Sequence, residues 1–202
     1  MKRFSVTFCK TKEFLDQGIL GSLVSFDAYA YSSDFFGIQR DSVSSARSGV
    51  LEDIGSHVSD LSLWFFGDLL SSFKVSSSIA QKHDSVHFEV ICSNNFGGKF
   101  DVSWVKEGYR MPEFRLIIRG TKGTIKVDDN ELVFALDGKH PQTWHRQDLD
   151  DHVAFLLGES EFFREDDHFV KSIIFNNKPE PSFQTATRVD YLLEQVRNKA
   201  YE

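Results

Sequence analysis

Residues 49–67 read Gly49-Val-Leu-Glu-Asp53-Ile-Gly55-Ser-His57-Val-Ser-Asp60-Leu-Ser-Leu-Trp-Phe-Phe-Gly67. Apolar side chains recur in this stretch at steps of three and four residues, at Ile54, Val58, Leu61, Trp64 and Phe65. That spacing is typical of an amphipathic helix, and Gly67 is a stop signal for it. The stretch therefore predicts one helix, and the rest of the chain is interpreted around it.

Asp53 and His57 are four residues apart near the start of the predicted helix, so they share one of its faces. A carboxylate so placed can fix the tautomer of the imidazole, while the ring takes or gives a proton near neutral pH. A structural interpretation stands beside this one. An Asp at a helix start is often a cap or a dipole partner, and a His near an apolar face is more often a packed core residue.

Composition limits the class of protein. The 202 residues suit a single domain over 1–202, and the 41% hydrophobic and 26% charged fractions are those of soluble globular proteins. The net charge of -7 and the absence of any Lys/Arg run argue against nucleic acid as a partner. Cys9 and Cys92 are isolated, and the charged N-terminal residues precede no long apolar core. We therefore expect a cytoplasmic protein without a signal peptide or membrane anchor.

The chain before the central helix predicts a helix over residues 5–17 ended by Gly18, then a strand within 23–31. Residues 32–48 are polar and lack periodicity, which predicts a long loop leading into the central helix. Arg40 and Arg47 in this loop are candidates to orient an oxygen-rich ligand. Solvated loop arginines are an equally good interpretation, because loops normally lie on the surface.

After Gly67 the sequence favours strands, and its last third returns to helix. The predicted strands are 73–82, 86–93, 99–105, 114–119, 123–127 and 131–136, and the predicted helices are 155–157, 161–175 and 184–201. Short polar turns between the strands predict antiparallel neighbours, and the 20 phenylalanines suit a large sheet. The fold class is α+β, an open, largely antiparallel mixed sheet with helices on one face. An apolar open face would seek a partner.

No Gly-x-Gly-x-x-Gly loop follows a strand, and no alternating strand-helix series is present, so we expect no dinucleotide site and no cofactor in this chain itself. Other polar groups are weaker candidates. His83 and His87 are too few for a closed zinc site. His140, His145 and His152, mixed with acidic residues that include Asp148, Asp150 and Asp151, form a polar segment that could contact substrate if it folds over the end of the sheet. A solvated loop and a helix cap are the favoured interpretation. Trp104 and Trp144 are interpreted as packing residues.

The stretch from Gly49 to Asp60 resembles the Gly-Gly-Gly-x-x-x-Asp-x-Gly-x-His-x-x-Asp signature of the glucose-fructose oxidoreductase / inositol dehydrogenase (Gfo/Idh/MocA) family. Arg3-Phe4 through Gly18-Ile-Leu-Gly21 is similar to the family's helix before the first strand of its second domain. Ile118-Arg-Gly120-Thr-Lys-Gly123-Thr-Ile is similar to its hairpin, and the helix from Ala186 to Ala200 takes the place of its closing helix. The glycine run is reduced here to Ser48-Gly49.

The resemblance implies enzymes of two domains: an N-terminal Rossmann domain that holds NAD or NADP, and a C-terminal domain that binds substrate and forms dimers or tetramers through its open sheet. The C-terminal fold is like that of dihydrodipicolinate reductase and of glyceraldehyde-3-phosphate dehydrogenase. This chain matches the second domain only. The catalytic Lys of the family's Glu-Lys-Pro motif, which belongs to the first domain, has no counterpart here.

By matching position, the resemblance implies that His57 is the acid/base that takes the hydroxyl proton as a hydride leaves the carbinol carbon. It implies that Asp53 hydrogen-bonds the substrate or His57. Arg40 and Arg47 are candidate substrate contacts because of their place in the predicted polar loop, not because of the resemblance. The expected function is the substrate-binding and oligomerisation domain of an NAD(P)-dependent oxidoreductase of sugars, polyols or related hydroxy compounds, inactive alone because it lacks a hydride acceptor. The alternatives are a stand-alone module that binds a polyhydroxy ligand and a purely structural dimerisation domain.

Overall fold

The computed structural model describes residues 1–37, 49–67, 73–81, 84–92, 95–149 and 160–200. In these ranges lie four α-helices: α1 (Val6–Asp16), α2 (Ser56–Phe66), α3 (Ser160–Ile174) and α4 (Phe183–Ala200). The strands are β1 (Leu23–Tyr31), β2 (Phe73–Gln81), β3 (Ser85–Cys92), β4 (Gly97–Ser103), β5 (Glu113–Gly120), β6 (Gly123–Asp128), β7 (Glu131–Leu136) and β8 (Gln142–His145). Shorter helical turns cover Lys2–Phe4, Leu51–Gly55 and Arg146–Leu149.

The strands form one sheet in the order β2-β3-β4-β1-β5-β6-β7-β8. Strand β1 pairs in parallel with β4, and each of the other neighbouring pairs is antiparallel. Short polar turns join β5, β6 and β7, as expected for hairpins. The predicted open, largely antiparallel mixed sheet in an α+β domain is confirmed, and its central strand is the first one in the chain.

The helices cover one face of this sheet. Helix α1 packs on β6 and β7, α2 on β1 and β5, and α4 on β2. Alternate strand residues point into this layer, so that β1, for example, buries Phe26, Ala28 and Ala30. The core also holds stacked rings, since Phe88 and Phe100 lie with their ring centroids 4.3 Å apart. The aromatic-rich strands thus supply most of the apolar layer beneath the helices.

The opposite face, here called the open face, is polar and charged rather than apolar. Its side chains form pairs along the strands, with Arg119 Nη2 2.6 Å from Asp27 Oδ2 and Lys99 Nζ 3.1 Å from Glu89 Oε1. Tyr29 stacks on Tyr31 with ring centroids 4.4 Å apart. The period-two alternation of the strands therefore separates an apolar layer from an ionic and aromatic one.

The strand β8 was not predicted, because the segment around His145 was interpreted as a polar loop. Four polar or aromatic residues give little alternation to detect, yet Gln142–His145 pair with β7 along their whole length. Trp144 holds this strand in place, since its ring centroid lies 5.5 Å from that of Phe14 in α1. The short predicted helix at 155–157 lies outside the described residues.

Two residues at the centre of the sheet show how tightly its neighbouring strands and the core fit together. Gly98 of β4 lies opposite Phe26 of β1, and a Cβ atom at Gly98 would overlap the Phe26 ring. Because Phe26 is fully buried and also contacts Phe66 and Phe96, its ring has no space to move aside.

None of the helices in the described ranges is both long and apolar enough to cross a membrane.

We expect Gly98→Ala to lower the free energy of unfolding by about 1–3 kcal/mol, the usual cost of overpacking a filled core. The control is Lys99→Ala on the exposed side of the same strand, which should change stability by no more than about 0.5 kcal/mol. Urea unfolding followed by circular dichroism measures both variants. Equal stability of the two would contradict the packing of Phe26 over Gly98.

Candidate functional site

The predicted central helix begins as a π-helical turn over Leu51–Gly55 and continues as α2. Gly49, with φ at 116°, precedes the turn, and Gly67, with φ at 44°, ends α2 as predicted. A Cβ atom at Gly55 would lie 3.4 Å from Cγ1 of Val102, which shows how closely the turn approaches β4. π-helical turns are rare and are frequently found at functional sites. This one places Asp53 and His57 above the central strands.

His57 lies in the first turn of α2, partly buried against Phe114 of β5. The two ring centroids are 5.1 Å apart with the planes at 73°, an edge-to-face contact. The ammonium of Lys2 lies 5.0 Å from the centroid of the same Phe114 ring. One aromatic ring thus contacts both the imidazole and a cation from the start of the chain.

The surroundings of His57 disfavour its protonated form. Burial lowers its pKa below the ordinary 6.5, and the Met1 ammonium and Lys2 lower it further. The carboxylates of Asp60 and Asp53 act in the opposite direction, but their effects are smaller. His57 is therefore a neutral imidazole at pH 7, the form that can accept a proton.

Asp53 is held by its backbone. Its amide donates to the Gly49 carbonyl at 3.1 Å, and its own carbonyl accepts from Ser56 Oγ at 2.8 Å. A π-helical turn bonds each residue to the fifth one along, so the side-chain spacing of an α-helix does not apply strictly between Asp53 and His57. The carboxylate still raises the pKa of His57. The catalytic role of this pair stays a prediction.

The turn Lys2–Phe4 forms ion pairs with three distant parts of the chain. Lys2 Nζ lies 2.8 Å from Asp129 Oδ1 and 3.5 Å from Glu161 Oε1, and its side chain is buried. Arg3 donates to both carboxylate oxygens of Asp60, with Nε 2.8 Å from Oδ2. No short-range pattern predicts these contacts, because the acidic partners lie far along the chain. The only available hint was a Lys-Arg pair directly before Phe4.

The remaining predicted candidates do not join His57 in the described part of the chain. Arg40 and Arg47 lie outside the described residues, as do His83, His152, Asp150 and Asp151. His87 lies on the open face, with Nδ1 3.0 Å from Asp101 Oδ1, on the side of the sheet away from α2. His145 is exposed in β8, three strands beyond β5. Among the described residues no group of three His, Cys, Asp or Glu side chains could hold a metal ion.

In an NMR pH titration we expect the ring protons of His57 to report a pKa below 6.5, with His57→Gln assigning the signal. Lys2→Met removes a cation that disfavours protonation, so it should raise this pKa toward the ordinary value. Lys99→Met, on the opposite face of the sheet, should leave it unchanged. A His57 pKa at or above 6.5 in the unaltered chain would contradict the described surroundings.

Comparisons with known proteins agree with this geometry. The family model of the GFO/IDH/MocA C-terminal domain matches residues 8–126, more than half of the chain. No curated protein sequence matches it significantly. Among solved structures, levoglucosan dehydrogenase in complex with NADH and levoglucosan superposes with a TM-score of 0.83 at 18% identity, covering 99% of this chain and 62% of that one.

Two further solved structures give the same result. An NAD binding oxidoreductase from Klebsiella pneumoniae has a TM-score of 0.82 at 16% identity, covering 99% of this chain and 62% of its own. Levoglucosan dehydrogenase in complex with NADH and L-sorbose has a TM-score of 0.80 at 18% identity, covering 98% and 62%. At such identities the superpositions establish the fold, and this chain spans about three fifths of each relative. Together with the matched family model, the sheet and the helices on it show that the chain belongs to the C-terminal domain family of the GFO/IDH/MocA oxidoreductases.

Proposed function

We propose that this chain is the substrate-binding and oligomerisation domain of an NAD(P)-dependent oxidoreductase that acts on a sugar, a polyol or a related hydroxy compound. The observation that carries the proposal is the imidazole of His57, which lies in the first turn of α2, partly buried against Phe114, at the position of the family's signature histidine. The ligands of the solved relatives, NADH with levoglucosan or L-sorbose, support the same substrate class.

His57 is the general base of this proposal. Its neutral ring accepts the proton of the substrate hydroxyl while a hydride leaves the same carbon atom, so that a carbonyl group forms. Asp53 orients the substrate or the ring, and its negative charge stabilises the imidazolium that results. The burial of His57 against Phe114 keeps the base from being protonated before the substrate arrives. Arg40 and Arg47, which lie outside the described residues, are proposed to bind substrate oxygens.

The hydride acceptor would come with another domain. A dinucleotide needs a glycine-rich turn between a strand and a helix in a parallel sheet. In the described ranges the one parallel pair is β1 with β4, and β1 is not followed by such a turn. The residues present therefore do not fit a dinucleotide site, and the nicotinamide would be held by a Rossmann domain. Without that domain we expect the chain to be inactive.

A second role is proposed for the open face, which would join copies of the chain into a homodimer or tetramer. This face combines paired charges with stacked tyrosines, and aromatic residues are enriched in protein interfaces. Ile91 is an apolar side chain on this face, and it is 44% exposed to solvent. A cavity of about 550 Å³ is lined by Ile91 together with Asp27, Lys99 and Arg119 among others.

The activity test uses the protein together with its nucleotide-binding domain, assayed with NAD and NADP against a panel of sugars and polyols. His57→Ala should lower kcat roughly 10²–10⁴-fold, the usual contribution of a general base, with a small change in KM. The matched control is His140→Ala, an exposed histidine in the turn before β8, which should keep full activity. Activity that survives in the His57 variant would overturn the assignment of the base.

For the open face, sedimentation velocity of the 202-residue chain should show dimers or larger species. Ile91→Asp places an unpaired charge in the proposed interface and should weaken association about tenfold or more, equivalent to about 1.4 kcal/mol. Lys139→Asp, in the exposed turn after β7, is the control and should associate normally. A chain that sediments as a monomer at all concentrations would remove the oligomerisation role.

A further inference from the structure

Helix α3 is packed with its polar side inward. Glu161 is fully buried beside Lys2 and Arg146, and Arg164 donates to the carbonyl of Phe4 at 3.2 Å. Farther along, Glu165 Oε1 lies 2.7 Å from the Met1 nitrogen, and the ring of His168 lies 5.4 Å from that of Phe4. These contacts hold α3 against the turn Lys2–Phe4 through charges and hydrogen bonds.

The other side of α3 is apolar and faces outward. Its large side chains are between 50% and 67% exposed and comprise Phe162, Phe163, Phe169, Val170, Ile173 and Ile174. Just beyond it, Phe175 and Phe183 are 67% and 96% exposed, and Phe169 and Phe183 line one groove with Pro179 and Pro181. We call this set the α3 apolar face. Contiguous exposed apolar surface of this kind marks an interaction site in a soluble protein.

The position of the α3 apolar face indicates what covers it. Met1 lies on α3, so any domain joined at that end of the chain would be tethered beside the helix. The matched family model describes a C-terminal domain, and the solved relatives extend well beyond the 62% of their length that this chain spans. The same turn, Lys2–Phe4, brings the Lys2 ammonium to the Phe114 ring that His57 contacts. Face and candidate site are therefore at one end of the molecule.

We infer that the α3 apolar face is the docking surface for the nucleotide-binding domain, an inference that rests on the proposed function. A domain that brings a hydride acceptor to His57 must approach the end of the sheet where α3, Met1 and Phe114 lie together. A rigid apolar contact there fixes its position, and reacting atoms need such positioning to within about an ångström. A second copy of the chain seated on α3 would obstruct that approach, whereas the open face offers copies a separate surface.

The test compares the 202-residue chain with the protein that also carries its nucleotide-binding domain, encoded upstream of Met1 or alongside. In each, Ile173→Cys places a thiol on the α3 apolar face, at a position 65% exposed. Lys139→Cys is the control in the exposed turn after β7, at the opposite end of the sheet from Phe114. Maleimide labelling is followed by intact mass, with the unsubstituted protein correcting for Cys9 and Cys92.

We expect the nucleotide-binding domain to slow labelling of I173C about tenfold or more and to leave K139C unchanged. Equal I173C rates in the two proteins would overturn the inference, as would the lack of any encoded nucleotide-binding domain. Slow I173C labelling in the 202-residue chain itself, faster on dilution, would assign the face to a second copy instead. If I173C is protected but the protein with both domains oxidises no polyol, the docking surface stands and the proposed function is wrong. If that protein oxidises polyols but I173C is not protected, the proposed function stands and the docking surface is wrong.

Discussion

The rest of the site depends on one buried cation. The Lys2 ammonium is removed from water, and it is stable there because the carboxylates of Asp129 and Glu161 lie within 2.8 and 3.5 Å. Removing one partner of such a buried pair typically costs about 3–5 kcal/mol, because the remaining charge is left uncompensated. Lys2 and its two carboxylates therefore fix three separate parts of the chain relative to one another: the turn after β6, the start of α3, and the first turn of the chain. Phe114 and His57 lie at their meeting point.

This arrangement also explains why His57 is neutral. A histidine among carboxylates alone would be held protonated, and one in an apolar pocket alone would be neutral but unresponsive. Here burial is the largest cause of the lowered pKa, and the cations near the ring add to it and outweigh Asp60, whose two oxygens both accept from Arg3. The acidic residues of the signature therefore serve two different purposes. Asp60 anchors the start of the chain to α2, and Asp53 remains beside the base in the π-helical turn.

Sequence patterns predicted the strands and the helices of the fold well, because each kind of element has its own local periodicity. The strands β1 to β7 were found from alternation and turn residues, and α1, α3 and α4 from steps of three and four residues. Strand β8 was missed because its four residues carry no alternation, and its order comes from β7 and from Phe14. The π-helical turn was missed because Leu51 to Gly55 look like ordinary helix. Its extra residue is accommodated by packing against Val102, which is distant in sequence.

The candidate pair was found from its spacing and from a resemblance, but the groups that set its chemistry were not. Lys2, Arg3 and Phe114 act across more than fifty residues of sequence, and such contacts leave no local pattern. The sequence did not predict which side of α3 faces the core either. Periodicity reveals that a helix has an apolar side, and the usual assumption is that this side faces the core. In α3 the charged side faces inward, because its carboxylates form ion pairs with Lys2, Arg146 and the Met1 nitrogen.

The salt bridge between the Met1 nitrogen and Glu165 makes the chemical form of the chain terminus part of the site. Acetylation or formylation of that nitrogen, or a peptide bond to a preceding residue, would turn the ammonium into an uncharged amide. His57 would then lose one of the cations that lower its pKa, and Glu165 would lose its partner. The pKa of the candidate base thus depends in part on whether the Met1 nitrogen is charged, without any change in the side chains around the ring.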